Sequence, residues 1–265
     1  MIESFTATEG VHVLTSAFPI PGLGRVPVNA FVLEGTEPML VDSGTGVESD
    51  EFMRVLSNVI DPRDLRWIWL THTDFDHTGS LARLLAENPR IRLVTTFLGV
   101  GIMSLASPLP LDRVLFVNPG ETVTLGNRTL TALRPPTFDN PCTTGFYEHA
   151  SRALFSSDCF GALLQEVPQT AEELSAEELS EGQVFWATVD SPWLHKVDRD
   201  ALAAELDEVR KVQPAMILSS HLPPATGRLM DPMLASIAAV RDAGRFVGPN
   251  QAALEQMLAG MTKAA

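Results

Sequence analysis

The stretch that most limits what this chain can fold into is the apolar run Trp67-Ile68-Trp69-Leu70 ending in Thr71-His72-Thr73-Asp74-Phe75-Asp76-His77, before Thr78-Gly79-Ser80-Leu81 opens a new segment. A buried strand delivers four groups able to ligate a metal, His72, Asp74, Asp76 and His77, to its own end. That is the beginning of a metal site. Carboxylate oxygen and imidazole nitrogen together hold first-row divalent ions, and the two aspartates tilt the choice toward harder, oxygen-loving ones. The bland alternative, acids solvating a loop beside two ordinary surface histidines, is set against the further candidate ligands downstream.

Around this run the chain alternates short β-rich stretches with helical ones. Val11 to Leu14, Asn29 to Glu34 and Met39 to Val41 read as a hairpin-rich sheet, punctuated by Gly and Pro. Phe52, Val55, Leu56 and Val59 sit at helical spacing in a helix over Glu48 to Ile60, stopped by Asp61-Pro62. After the strand ending at His72, a helix is expected over His77 to Glu87 and a strand over Ile91 to Thr96. The second half repeats the logic: strands over Arg113 to Val117, Thr122 to Leu125, Thr129 to Leu133 and Ala153 to Asp158. An acidic, Thr-capped cover follows over Thr170 to Leu179. Helices near Glu181 to His195 and Arg199 to Val212 lead to a strand over Ala215 to Ser220, and the tail from Pro232 to Ala259 reads as two amphipathic helices broken at Gly248-Pro249. Composition and periodicity alone give a mixed α/β class.

Length and charge narrow the partners. At 265 residues and 45% hydrophobic content the chain can bury a sizeable core as one domain, 1–265. The formal charge of -14, with no Lys/Arg cluster, argues against nucleic acid or an anionic membrane as partner. The opening Met1-Ile2-Glu3-Ser4-Phe5 lacks a basic segment followed by an apolar one, so a soluble, cytoplasmic protein is expected. Cys142 and Cys159 are the only cysteines and form no Cys-x-x-Cys pair, so neither rubredoxin-type iron nor a disulfide framework is encoded. Cys159 reads as a small buried apolar residue.

The hexapeptide from His72 to His77 resembles the signature of the metallo-β-lactamase superfamily, His-x-His-x-Asp-His at the carboxyl end of a strand. It departs from it once. Asp74 stands where the hydrolases carry their second His, and a carboxylate there resembles the flavodiiron proteins and their stand-alone oxygen-binding di-iron relatives. The resemblance extends over nearly the whole chain and implies a four-layer αββα sandwich. It also implies the remaining ligands. Leu154-Phe155-Ser156-Ser157-Asp158-Cys159-Phe160-Gly161 resembles the segment whose Asp bridges two metals, and His221, between Leu218-Ser219-Ser220 and Leu222-Pro223-Pro224, matches the fifth motif. In the third motif, counting back from Asp158 without a gap places Asp139 where the family has His. Arg134 takes that place if the loop is gapped, but a guanidinium cannot ligate a cation, so Asp139 is favoured. His149 is a remote substitute that suits a solvent-facing hairpin.

By this resemblance His72, Asp74, Asp139 and the bridging Asp158 hold one metal, and Asp76, His77, Asp158 and His221 the other. Asp42 in Val41-Asp42-Ser43-Gly44 resembles the first motif, with the expected role of orienting ligands by hydrogen bonds; a strand-end turn Asp is the alternative. Phe146, Tyr147, Phe185 and Trp186 are candidates for a pocket above the metals or for core. Four aspartates nearly neutralise two divalent ions, which weakens the case for a metal-activated hydroxide and suits iron in oxygen chemistry.

The expected function is therefore a dinuclear metalloprotein, with iron favoured and zinc or manganese as alternatives, that binds or reduces oxygen or nitric oxide. No flavodoxin domain is found in the 265 residues, so the chain would be an oxygen-binding sensor or depend on a separate electron donor. A homodimer is left open. A metal-dependent hydrolase of a thioester, lactone or phosphoester is the second reading, on fold-level grounds. A scaffold with a site that no longer turns over is the third, and metal content separates the three.

Overall fold

The architecture follows from strands that are apolar on both faces. In β3 (Gly24–Leu33), β4 (Met39–Val41) and β5 (Trp67–Trp69), Phe31, Leu33, Met39, Val41, Trp67 and Trp69 point to one side, and Ala30, Val32, Leu40 and Ile68 to the other. Side chains alternate along a strand, so a run apolar at every position must be covered on both faces. The computed structural model describes residues 1–264 and covers both.

One sheet holds β1 (Ile2–Thr8), β2 (Val11–Ile20), β3, β4, β5, β6 (Arg92–Thr95) and β7 (Val114–Phe116), paired in that order. The other runs in reverse from β13 (Ala225–Thr226) through β12 (Met216–Leu218), β11 (Ala153–Phe155), β10 (Gly145–Glu148) and β9 (Arg128–Leu133) to β8 (Thr122–Leu125). Their inner faces meet in a dry layer where Phe146 stacks on Phe155 with centroids 4.4 Å apart and lies 4.4 Å from Trp69. Removing a ring of this kind costs about 3–5 kcal/mol.

Helices form the outer layers. α1 (Ser49–Val59) and α3 (Leu81–Glu87) lay Phe52, Val55, Leu56, Leu81, Leu84 and Leu85 on the first sheet. α5 (Ala176–Asp190), α6 (Arg199–Val212) and α7 (Met230–Ala239) cover the second with Leu179, Ala187, Leu202, Leu206, Met233 and Ile237. The short α2 (Phe75–Thr78), then α4 (Phe97–Met103) and the C-terminal α8 (Gln251–Ala264) complete the set. The result is the four-layer αββα sandwich.

Several elements differ locally from expectation. The helix expected over His77 to Glu87 is split into α2 and α3 at Gly79-Ser80. Gly79 lies so close to the loop after β4 that a Cβ would stand 2.2 Å from the carbonyl carbon of Thr45. The Thr170 cap is real, a capping box with Glu173, but it closes only one turn of 3-10 helix. A second box, Ser175 with Glu178, starts α5, which therefore begins before Glu181. The first tail helix is α7, ending well ahead of Gly248-Pro249. Neither β1 nor α4 was legible: β1 is an edge strand with Ile2 as its one buried residue, and Phe97-Leu98-Gly99-Val100-Gly101 lacks helical patterning, relying on Thr96 accepting from the Gly99 N–H. Among the described residues no helix is long and apolar enough to cross a membrane.

Candidate metal centre

Both sheets contain parallel pairs, among them β4 with β5 and β11 with β12, whose carboxyl ends lie side by side. Open α/β sheets gather ligands at such ends. Here the loops after these four strands carry Asp42, His72 to His77, Asp158 and His221, and the loop between β9 and β10 carries Asp139.

His77 and His221 are fixed by the fold. The His77 Nδ1–H donates to Asp42 Oδ2 at 2.8 Å, and the His221 Nδ1–H donates to the carbonyl of Pro27 at 2.8 Å. With Nδ1 donating in both rings, each Nε2 faces the interior and can ligate a cation once it has lost its proton. Asp42 is itself held in place, accepting from the Thr71 N–H and the Thr71 hydroxyl, both at 2.8 Å. It also adopts a left-handed backbone, φ 56°, which a residue with a side chain takes up reluctantly. The structure thus places Asp42 behind His77, in the arrangement that orients metal-binding histidines.

His72 is held more loosely, by Ser157 Oγ at 3.2 Å and Thr71 Oγ1 at 3.3 Å from its Nδ1. Its Nε2 lies 3.5 Å from Asp158 Oδ2 and 3.9 Å from Asp139 Oδ1. Asp158 is the meeting point: its Oδ1 is 3.2 Å from His77 Nε2 and 3.3 Å from His221 Nε2. Asp76 Oδ2 completes that side at 3.3 Å from His221 Nε2 and 3.6 Å from His77 Nε2.

Two overlapping sets result. His72, Asp74 and Asp139 bring one ligand atom each within 4.8 Å of one another, as do Asp76, His77 and His221, and Asp158 joins His72 and His77 in the same way. All seven candidate ligands of the sequence are therefore gathered at one place. Arg134 is not among them: it stacks over Phe138, 5.0 Å from the ring centroid, and donates to the carbonyl of Pro141. His149 bonds Thr131 from the exposed turn between β10 and β11.

The donor atoms themselves test whether metals belong here. His72 Nε2, His77 Nε2 and Asp158 Oδ1 are all buried without a hydrogen-bond partner. An orphaned buried polar atom costs about 1–3 kcal/mol, and three converging on one point are what a cation satisfies. The residues fit two ions.

Electrostatics agree. Burial opposes charge on Asp158, but His72, His221 and His77 outweigh it and hold the carboxyl well below its usual range. Burial likewise opposes protonation of His221, yet Asp158 and Asp76 raise it to about 9. His72 goes the other way, lowered by burial and then by the neighbouring His77. Burial, followed by the charges of Asp158 and Asp74, pushes Asp139 up to about 7.

One residue was missed by sequence reasoning. Asp190, the last residue of α5, brings a carboxylate oxygen within 4.8 Å of those of Asp139 and Asp158. Burial and these two acids raise it to about 7. The available signal was an acid ending the apolar stretch Val184 to Val189, where the negative end of the helix disfavours it.

The aromatic candidates divide. Trp186 lines the site, its ring 4.6 Å from that of His221 and its indole N–H donating to the Asp158 carbonyl. Gly161 makes room for it: a Cβ there would lie 2.5 Å from Trp186 Nε1. Phe146 is core between the sheets, Phe185 packs edge-on to Phe246, and Tyr147 lies against His149. Cys142 and Cys159 are buried and unpaired, and burial pushes the Cys159 thiol up to about 12, so it is inert. Beside the site, a cavity of about 1080 Å³ is lined by Thr73, Asp76, Phe18, Val47, Phe75 and Met103, among other mostly apolar residues.

Comparison with known proteins matches residues 26–221 to the model of the family described as ODP family beta lactamase. An uncharacterised protein of Methanocaldococcus jannaschii is 24% identical over 193 residues, 73% of this chain and 48% of its own length. The anaerobic nitric oxide reductase flavorubredoxin homolog of Escherichia coli O157:H7 is 26% identical over 167 residues, 62% of this chain and 41% of that protein. Among solved structures, rubredoxin oxygen:oxidoreductase of Desulfovibrio gigas superposes with a TM-score of 0.77 at 20% identity, covering 91% of this chain and 61% of that one. The chain spans about half, or less, of the length of these curated relatives.

Proposed function

Because the chain belongs to the ODP family of β-lactamases, in the flavodiiron branch of the metallo-β-lactamase superfamily, we propose that it holds two irons and binds or reduces oxygen or nitric oxide. The observation that carries this reading is the carboxylate-rich first position, His72 with Asp74 and Asp139, joined to a second position of Asp76, His77 and His221 through Asp158. Oxygen ligands suit iron in its higher oxidation states and offset the positive charge that a hydrolytic zinc pair uses to acidify water. The names of the relatives, a nitric oxide reductase and an oxygen:oxidoreductase, point to the same two diatomic molecules.

When bound, the irons supply the electron exchange with the diatomic ligand. The chain supplies the rest. Asp42 and the Pro27 carbonyl fix His77 and His221 so that each Nε2 faces inward, and Trp186 covers the His221 side against water. The reading includes an electron donor other than Cys142 and Cys159, which are buried and free.

The test is metal analysis of protein purified anaerobically without chelators, followed by its optical spectrum on admission of air. Two irons per chain and an oxygen-dependent spectral change are expected. Zinc in both positions with no response to air or nitric oxide would sink the reading.

One observation favours a hydrolase as second reading. The apolar cavity of about 1080 Å³ reaches Thr73 and Asp76 and is far larger than a diatomic molecule needs. Arg113, the one cation in its lining, spends its guanidinium on the carbonyls of Leu85, Asn88 and Ile91, so a neutral lactone suits the cavity better than a phosphoester. Turnover of neutral lactones by the zinc-loaded protein, compared with the iron-loaded one, tests it.

A further inference from the structure

We infer that Asp190 is a ligand of the first metal position. This rests on the dinuclear reading above and adds to it a residue that none of the five motif segments contains. Its carboxylate oxygen lies within 4.8 Å of those of Asp139 and Asp158, and His72 Nε2, buried and without a hydrogen-bond partner, lies 3.5 Å from Asp158 Oδ2 and 3.9 Å from Asp139 Oδ1.

The position of Asp190 is otherwise hard to explain. It ends a 15-residue helix, where the partial negative charge of the carbonyls disfavours a carboxylate. The Ser191 hydroxyl donates to its Oδ2 at 2.9 Å, and among the described residues no Lys or Arg forms an ion pair with Asp139, Asp158 or Asp190. Three converging carboxylates with no Lys or Arg among them call for a cation.

The helix is also the right support for a ligand. Trp186 and Asp190 are four residues apart and share a face, and on that face Trp186 already binds the Asp158 carbonyl and packs on His221. One turn earlier, Gln183 Nε2 donates to the carbonyl of Phe160. α5 is thus pinned to the loop that carries Asp158, and Asp190 follows from the same surface. At the first position the family's third-motif His is replaced by Asp139, whose side chain is 28% exposed on a loop. Asp190 adds a partly buried donor there, and its oxygen makes the position one for iron or manganese rather than zinc.

The experiment titrates the metal-free full chain anaerobically with Fe(II), and separately with Mn(II), in wild type, Asp190→Asn, Asp190→Ala and Asp190→Glu. Wild type is expected to take two ions per chain. The Asn and Ala variants should keep one and bind the other about tenfold or more weaker, with Glu recovering part of the loss. Metal-free Asp190→Asn should unfold at or above the wild-type temperature, because it removes a partly buried acid that no Lys or Arg offsets. Two ions held as tightly in both Asn and Ala as in wild type would overturn the assignment. So would a lower unfolding temperature for metal-free Asp190→Asn, which would make the residue structural. A wild type that takes fewer than two ions would instead bring down the dinuclear reading itself.

Discussion

The two proposed metal positions are built in different ways. At the second, His77 and His221 are each locked by a 2.8 Å hydrogen bond to a group the sheets already hold, Asp42 and the Pro27 carbonyl. At the first, His72 has only contacts of 3.2 and 3.3 Å behind it, and Asp139 comes from a loop. One position is set before any ion arrives, and the other is shaped by carboxylates that need the ion to settle their charge. The second should discriminate by geometry and the first by ligand chemistry.

The substitution expected to do most harm removes what the positions share. Asp158→Ala should abolish paired binding, leaving fewer than two tightly held ions per chain by elemental analysis; two retained ions would end the bridging assignment. Next comes the lock on His77. Asp42→Ala should weaken the second position about 10–100-fold and spare the first, read as one class of sites shifting in a metal titration. Equal weakening at both would erase the contrast.

The first position is probed through its chemistry. Asp74→His with Asp139→His should raise zinc occupancy relative to iron when the two compete at equal supply, and unchanged selectivity would show that carboxylates do not set the preference.

A smaller effect is expected outside both positions, at Glu148. Burial disfavours its charge, but the Ser151 side chain and N–H and the Ala150 N–H outweigh this and hold its carboxyl below the ordinary glutamate range. A depressed folded-state pKa means that the stabilisation is present above the unfolded value and lost as pH falls through the folded one. Glu148→Gln should therefore cost about 2 kcal/mol at neutral pH, less in acid, with both metal positions unaffected. Smallest of all, Arg134→Ala should change metal affinity by no more than about twofold. A larger change would revive the gapped placement of the third motif.

Legibility in the sequence followed the same division. Candidate ligands on the ends of regular strands, His72, Asp158 and His221, could be proposed because a strand run and its last polar residue are adjacent in the chain. The sandwich was legible through the resemblance, while periodicity by itself reached only mixed α/β. Asp190 escaped because its meaning lies in where α5 ends relative to the loop holding Asp158, and the sequence placed that helix too late. The break at Gly79 escaped for a similar reason: the backbone of Thr45 and Gly46 that demands it is distant in the chain.

The bonds that fasten the centre are among the longest-range in the molecule. Pro27 to His221 spans 194 positions, and Asn29, which donates to the carbonyls of Ser219 and Leu222, spans 190 and 193. Closing loops of that length comes late in folding, because the chain entropy must be surrendered before the contacts repay it. A partly folded chain can present the His72 to His77 cluster but has neither His221 nor its anchor in place. The centre is thus a product of finished folding, and an ion bound there reports that both ends of the chain have found each other.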